Sequence, residues 1–166
     1  MKKVLSLVSC LFLALTLTAQ RDTTGSANAR STSFPPVSLL LPDGKTYYTQ
    51  KDLPADKAVL VMLFNPSCTH CQQETEEITR NINKFSNIHI LMCTPMPLDS
   101  MLAFRKKYNL AKYSNIVVTQ DSRVQMPSYY MISNLPFLAF YNRKRQLIGT
   151  HEGSISLEKL LAKFKN

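Results

Sequence analysis

Cysteine is scarce in this chain, with four in 166 residues. That is too few to staple a fold of this length, so the fold has to rest on a hydrophobic core, and any close cysteine pair is more readily chemical than structural. The sequence also lacks internal repeats. It has no second Cys-x-x-Cys and no His-x-x-x-His pair that would complete a zinc site around the first. Acidic residues are few, eleven against twenty lysines and arginines, for a net charge of +9. The cations are scattered: Arg105, Lys106 and Lys107 on one expected helix, Arg143, Lys144 and Arg145 in a turn, and Lys159, Lys163 and Lys165 at the end. Aromatic residues do not alternate with them, which argues against a nucleic-acid platform and for a solvated basic surface.

What is present suggests one compact domain, the usual outcome at this length. MKKVLSLVSCLFLALTLTAQ opens with two lysines and an apolar run from Val4 to Ala19 that ends on a small residue. This reads as an export signal over residues 1–19, with a retained membrane anchor as the alternative. Cys10 lies too early in that run for a lipid acceptor. Residues 20–33, polar, small and without periodicity, read as a flexible tether, so the folded domain is expected over 34–166. Export matters to the chemistry, because outside the reducing cytosol a dithiol is oxidised unless something keeps it reduced.

Periodicity places the elements. Residues 34–41 and 45–48 flank Pro42-Asp43-Gly44 as an opening hairpin. The apolar run AVLVMLF at 58–64 predicts a strand covered on both faces. Cys71, Thr75, Ile78, Ile82 and Phe85 recur at helical spacing and predict one helix to about Phe85. A strand over 88–93, a helix over 98–108, a short strand over 116–118, a hairpin of 137–141 with 147–151, and a closing helix capped by Ser156 complete the order. The whole reads as a β-hairpin, βαβαβ and ββα.

The segment NPSCTHCQQE, residues 65–74, sits where the buried strand gives way to the long helix. Unpaired N–H groups and the helix dipole at that terminus stabilise a thiolate, which makes Cys68 the expected attacking sulfur. Cys71, one turn further in, is expected to be more buried and close enough to resolve a mixed disulfide on Cys68. Zinc binding, the structural alternative, would need two of Cys93, His89 and His151, which are dispersed over two expected strands with no second Cys-x-x-Cys or His-x-x-x-His pair. A peroxidatic reading fails on Val61 and Asn65, which stand where a peroxiredoxin has proline and a hydroxyl residue. Cys93 reads as a small buried core residue, and His89 and His151 as ordinary strand residues.

LVMLFNPSCTHCQQE, followed much later by NLPFLAFYN, resembles the thioredoxin fold and within it the TlpA/ResA-like exported thiol-disulfide oxidoreductases, over about residues 34–166. Phe64, four residues before Cys68, and Glu74, three after Cys71, match the family pattern. The resemblance implies an α/β fold, a central mixed sheet flanked by helices, with an N-terminal β-hairpin and an inserted βα segment. It implies that Pro136 is a cis-proline facing the dithiol and that the backbone of Leu135 pairs with a bound polypeptide. It also implies redox exchange with cysteine-containing envelope proteins in a bacterial periplasm or cell envelope, supplied by a thiol electron donor and requiring no nucleotide or flavin cofactor, no metal and no nucleic acid. Membrane contact would follow only from a retained N-terminal segment. Reduction is the direction that the family implies.

The departures are informative. Ser67 replaces a frequent tryptophan, and Met62 stands where thioredoxin has a buried aspartate, which leaves Glu74 as the nearby candidate to deprotonate Cys71. His70 lies between the cysteines, as in exported oxidants, where it would stabilise the thiolate and favour disulfide formation. A non-catalytic binding or metal-handling module of the same fold is the rival from another class.

Overall fold

The computed structural model describes residues 33–165, so the expected signal segment and the tether up to residue 32 lie outside the described residues. A seven-stranded mixed sheet forms the centre, in the order β2-β1-β5-β4-β3-β6-β7. The strands are β1 (Ser38–Leu40), β2 (Tyr47–Thr49), β3 (Ala58–Leu63), β4 (Ile88–Thr94), β5 (Ile116–Gln120), β6 (Phe137–Tyr141) and β7 (Leu147–Glu152). The helices are α1 (Thr69–Arg80), α2 (Leu98–Lys107), α3 (Gln125–Tyr130) and α4 (Leu157–Ala162). Strands β3, β4 and β5 run parallel, while β6 and β7 are antiparallel at one edge and the β1–β2 hairpin joins β5 at the other.

The reason β3 lacks alternation is visible in its packing. Leu60 and Met62, with Phe64 just beyond, face one core with Cys71 and Ile78 of α1, Met101 and Phe104 of α2 and Leu160 of α4. Val59, Val61 and Leu63 face a second core with Leu39, Met126, Tyr130 and Tyr141. A strand buried on both sides has to be apolar throughout, and fixing it fixes whatever follows its C-terminal end.

Two expectations need correction. The helix after the dithiol ends at Arg80, because Asn81 leaves helical geometry and donates both its backbone N–H, at 3.2 Å, and its side-chain amide, at 3.0 Å, to the Glu77 carbonyl. A separate 3-10 turn over Ile82–Phe85 then carries Phe85 into the core, which is why the helical spacing continued past the break. Helix α3 was not legible. It is short, and its Pro127 sits in the first turn, where no intrahelical N–H bond is required. The carboxylate of the fully buried Asp121, upstream of the helix, accepts the Met126 N–H at 2.7 Å.

His89 is more than an ordinary strand residue. Only 5% exposed on β4, it meets the Tyr48 hydroxyl through Nε2 at 2.8 Å, which locks the opening hairpin to the sheet. Burial pushes the imidazole down to about 4, and the nearby Arg145 and Lys57 push the same way. A histidine whose folded value lies below its free value of about 6.5 favours unfolding as pH falls through that window, since the unfolded chain takes up the proton first. Acidification from about pH 6.5 to 4 is therefore expected to cost on the order of 3 kcal/mol at this residue. Urea midpoints measured across that range should show a loss that is largely absent in His89→Gln.

Candidate functional site

The site begins where β3 ends. Phe64 continues the strand by donating its N–H to the Cys93 carbonyl at 3.0 Å, and its ring packs on Phe104 with centroids 4.5 Å apart. Asn65 then turns the chain: its side-chain oxygen accepts the Ser67 N–H at 3.0 Å and the Ser67 hydroxyl at 2.8 Å, while its carbonyl accepts the Cys68 N–H at 3.0 Å. Gln72 braces the turn from inside α1 by donating to the Pro66 carbonyl at 2.8 Å. Sequence reasoning singled out neither Ser67 nor Gln72 as support, since both roles depend on where the turn folds back.

Cys68 is the N-cap of α1, in extended geometry, and its sulfur accepts the Cys71 N–H at 3.2 Å. This is the position at which a free helix N–H and the positive end of the macrodipole favour negative charge. Cys68 is half-buried and Cys71 fully buried, and both thiols are free. Burial pushes the Cys71 thiol up to about 12, with the hydrogen bond and charge of the neighbouring Cys68 adding to the push. Two sulfurs one turn apart thus differ in what each can do. One is reachable, and the other is held protonated beneath it.

Glu74 lies on the same buried face of α1 as Cys71 and is 4% exposed. Burial raises its carboxyl above the usual glutamate range, against the lowering influence of the Ile155 N–H, which donates to Oε2 at 3.2 Å, and of His151; Glu77 adds to the rise. His151 stands on β7 in the same cross-sheet row as Leu138, Met62 and Met92. The apolar Met62 leaves the carboxylate of this region to the helix instead of the strand.

The Leu135–Pro136 peptide is cis, and the Leu135 carbonyl lies 3.9 Å from the Cys68 sulfur. Residues far apart in sequence therefore meet here: Cys68, with Cys71 bonded to it through its N–H, from the start of α1, and Leu135 from the loop before β6, while Glu74 lies one turn further along α1 with its carboxylate on the Ile155 N–H. His70 is exposed on the first turn of α1. The remaining sulfur and imidazoles are elsewhere. Cys93 and His89 belong to β4, where Cys93 packs in the core on the face away from Cys71, and burial, with Asp121 nearby, pushes its thiol up strongly. Among the described residues no cluster of three or more His, Cys, Asp or Glu is placed to hold a metal ion. A cleft of about 680 Å³ lies at the other end of the sheet, by Ala58 at the start of β3, rimmed by Lys84, Arg143, Lys144 and Lys165.

No protein-family model matches the chain, and no curated protein matches it. Solved structures do. A secreted Mycobacterium tuberculosis disulfide oxidoreductase homologous to Escherichia coli DsbE is 16% identical, with a TM-score of 0.64, over 77% of this chain and 93% of that one. StoA from Bacillus subtilis is 14% identical, with a TM-score of 0.59, over 78% and 97%. A thioredoxin-like protein from Aeropyrum pernix is 14% identical, with a TM-score of 0.64, over 81% and 89%. The fold is thus thioredoxin-like, as the sequence resemblance implies. These neighbours are consistent with the TlpA/ResA-like resemblance.

The buried carboxyl makes a stability prediction. A glutamate whose folded value is raised retains its proton in the native state after the unfolded chain has lost it, so stability falls as pH rises through that window. Glu74→Gln keeps an acceptor for the Ile155 N–H without the charge. It should melt higher than the wild type at pH 7, with the difference vanishing below about pH 4, where both states of the wild type are protonated. Thermal melts of the two proteins across pH check this.

Proposed function

We propose that this protein is an exported thiol-disulfide oxidoreductase in which Cys68 attacks a disulfide of a cell-envelope protein and Cys71 resolves the mixed disulfide. The observation that carries the reading is the asymmetry of the pair: a half-buried sulfur on the helix N-cap above a fully buried thiol one turn on. In the first step the Cys68 thiolate bonds to one client sulfur, and the other leaves as a thiolate that takes a proton. In the second, Cys71 loses its proton and attacks the Cys68 sulfur. The Cys68–Cys71 disulfide forms, and the second client sulfur is released. The client gains two electrons and the dithiol loses two, to be restored by a thiol donor.

The geometry supplies a reason for that order. A thiol at about 12 is ionised to only about one part in 10^5 at pH 7, so Cys71 stays silent until Cys68 is engaged. Mixed-disulfide formation removes the Cys68 charge and hydrogen bond that help hold Cys71 protonated. Glu74, buried on the same face and one helical turn away, is the group we assign to accept the proton. Leu135 presents backbone beside Cys68 for an extended polypeptide to pair with, and exposed His70 faces the approaching client. The fold shared with a protein described as secreted supports an envelope location. Reduction is the direction we favour, from the TlpA/ResA-like resemblance. A reduction potential near that of thioredoxin, about −270 mV, would accord with it, and one near that of DsbA, about −120 mV, would reverse it in favour of an oxidant.

With Cys71→Ser the resolving sulfur is gone, so covalent adducts on Cys68 should accumulate in the host envelope, while Cys68→Ser traps none. Glu74→Gln should accumulate the same adducts more weakly. Non-reducing electrophoresis with mass spectrometry of the trapped partners reads the result, and equal trapping by both cysteine variants would contradict the assignment.

A further inference from the structure

The steps above leave unused a carboxylate that ties the loop before Pro136 to the segment holding Glu74. Glu152 is the last residue of β7, opposite Phe137 on β6. Its Oε1 accepts the Ser133 N–H at 3.2 Å, and its Oε2 accepts the Asn134 N–H at 3.0 Å and the Asn134 side-chain amide at 3.4 Å. These are the two residues immediately ahead of Leu135, whose carbonyl faces the Cys68 sulfur. The chain beyond Glu152 continues the connection. Gly153, at φ +82 in the left-handed region, donates its N–H to the Pro136 carbonyl at 2.8 Å, and two residues later Ile155 donates to Glu74. Glu152 is exposed, so its charge is not there to fill a core. It holds two successive backbone donors of one loop.

We propose that Glu152 is a positioning residue for protein substrates, holding the Ser133–Pro136 segment in the orientation at which the Leu135 backbone can pair with a polypeptide lying across Cys68. The inference rests on the thiol-disulfide reading above and extends it. A polypeptide needs both the sulfur and the Leu135 backbone, whereas a small disulfide needs only the sulfur. Loosening the loop therefore has to separate the two kinds of substrate. Glutamine at this position offers one acceptor oxygen, and its amide group would face an N–H donor, so one backbone contact is kept and the other is replaced by a donor facing a donor.

The test compares wild type with Glu152→Gln in reduction of insulin, a protein disulfide, and of oxidised glutathione, a small one. The expected result is a KM for insulin raised about tenfold, with kcat and the glutathione rate within about twofold of wild type, the size expected from one charge-assisted hydrogen bond. Backbone amide exchange at Ser133 and Asn134, followed by NMR, should accelerate about tenfold or more in the variant. Equal loss on both substrates would mark a merely structural role and overturn the proposal, as would unchanged kinetics on both. A wild type that reduces neither substrate would overturn the reductase direction proposed above, and this inference with it. A variant that matches an active wild type overturns this inference alone.

Discussion

The arrangement of the site depends on one contact, the Cys71 N–H donated to the Cys68 sulfur across the first turn of α1. That contact exists only if the helix begins at Cys68, and the helix begins there because β3 delivers the chain to that point. β3 cannot shift, since its side chains are locked into cores on both faces and its neighbours β4 and β6 fix its register over the full strand. Asn65 makes the turn, Gln72 holds its outer edge, and the Phe64–Phe104 contact anchors its base. A one-residue slip would turn every β3 side chain to the other core, so the cysteine inherits the precision of a strand packed on both faces.

The same packing that positions the sulfurs creates an electrostatic burden. Cys71 and Glu74 occupy the buried face of α1, where the remaining contacts are made by Thr75 and Ile78. Leucine or isoleucine in place of Glu74 would suit that face better on packing grounds. A carboxyl kept where its charge is disfavoured is a cost to stability that makes sense if the group has to exchange a proton with an equally buried thiol. The Ile155 N–H and nearby His151 moderate that cost without removing it. The segment that supplies Ile155 also runs back to the loop before Pro136, so the proton-handling face and the surface beside Cys68 share one support.

Much of this was legible in the sequence, and the failures have physical causes. The run at 58–64, the dithiol at its end and the order of strands follow from apolar periodicity, which reports burial directly. The N-cap position of Cys68 and the cis peptide before Pro136 came from residue types and family resemblance. The end of α1 was misplaced because the 3-10 turn over Ile82–Phe85 preserves the apolar spacing of the helix it follows. Helix α3 was missed because its stabilising contact comes from Asp121, outside the segment. The burial of Glu74, the Tyr48–His89 lock and the hold of Glu152 on Ser133 and Asn134 are long-range pairings, which no local pattern encodes.

The central claim is that the two sulfurs of one turn are unequal, with Cys68 reachable at the helix N-cap and Cys71 held back beneath it. Residue-resolved alkylation tests it most directly: reduced protein is treated with limiting iodoacetamide at pH 7, quenched over time, and the modified cysteines are read by peptide mass spectrometry. The account predicts that Cys68 is modified first and nearly alone, with Cys71 and Cys93 following only on unfolding. Modification of Cys71 at a rate equal to that of Cys68 would contradict it.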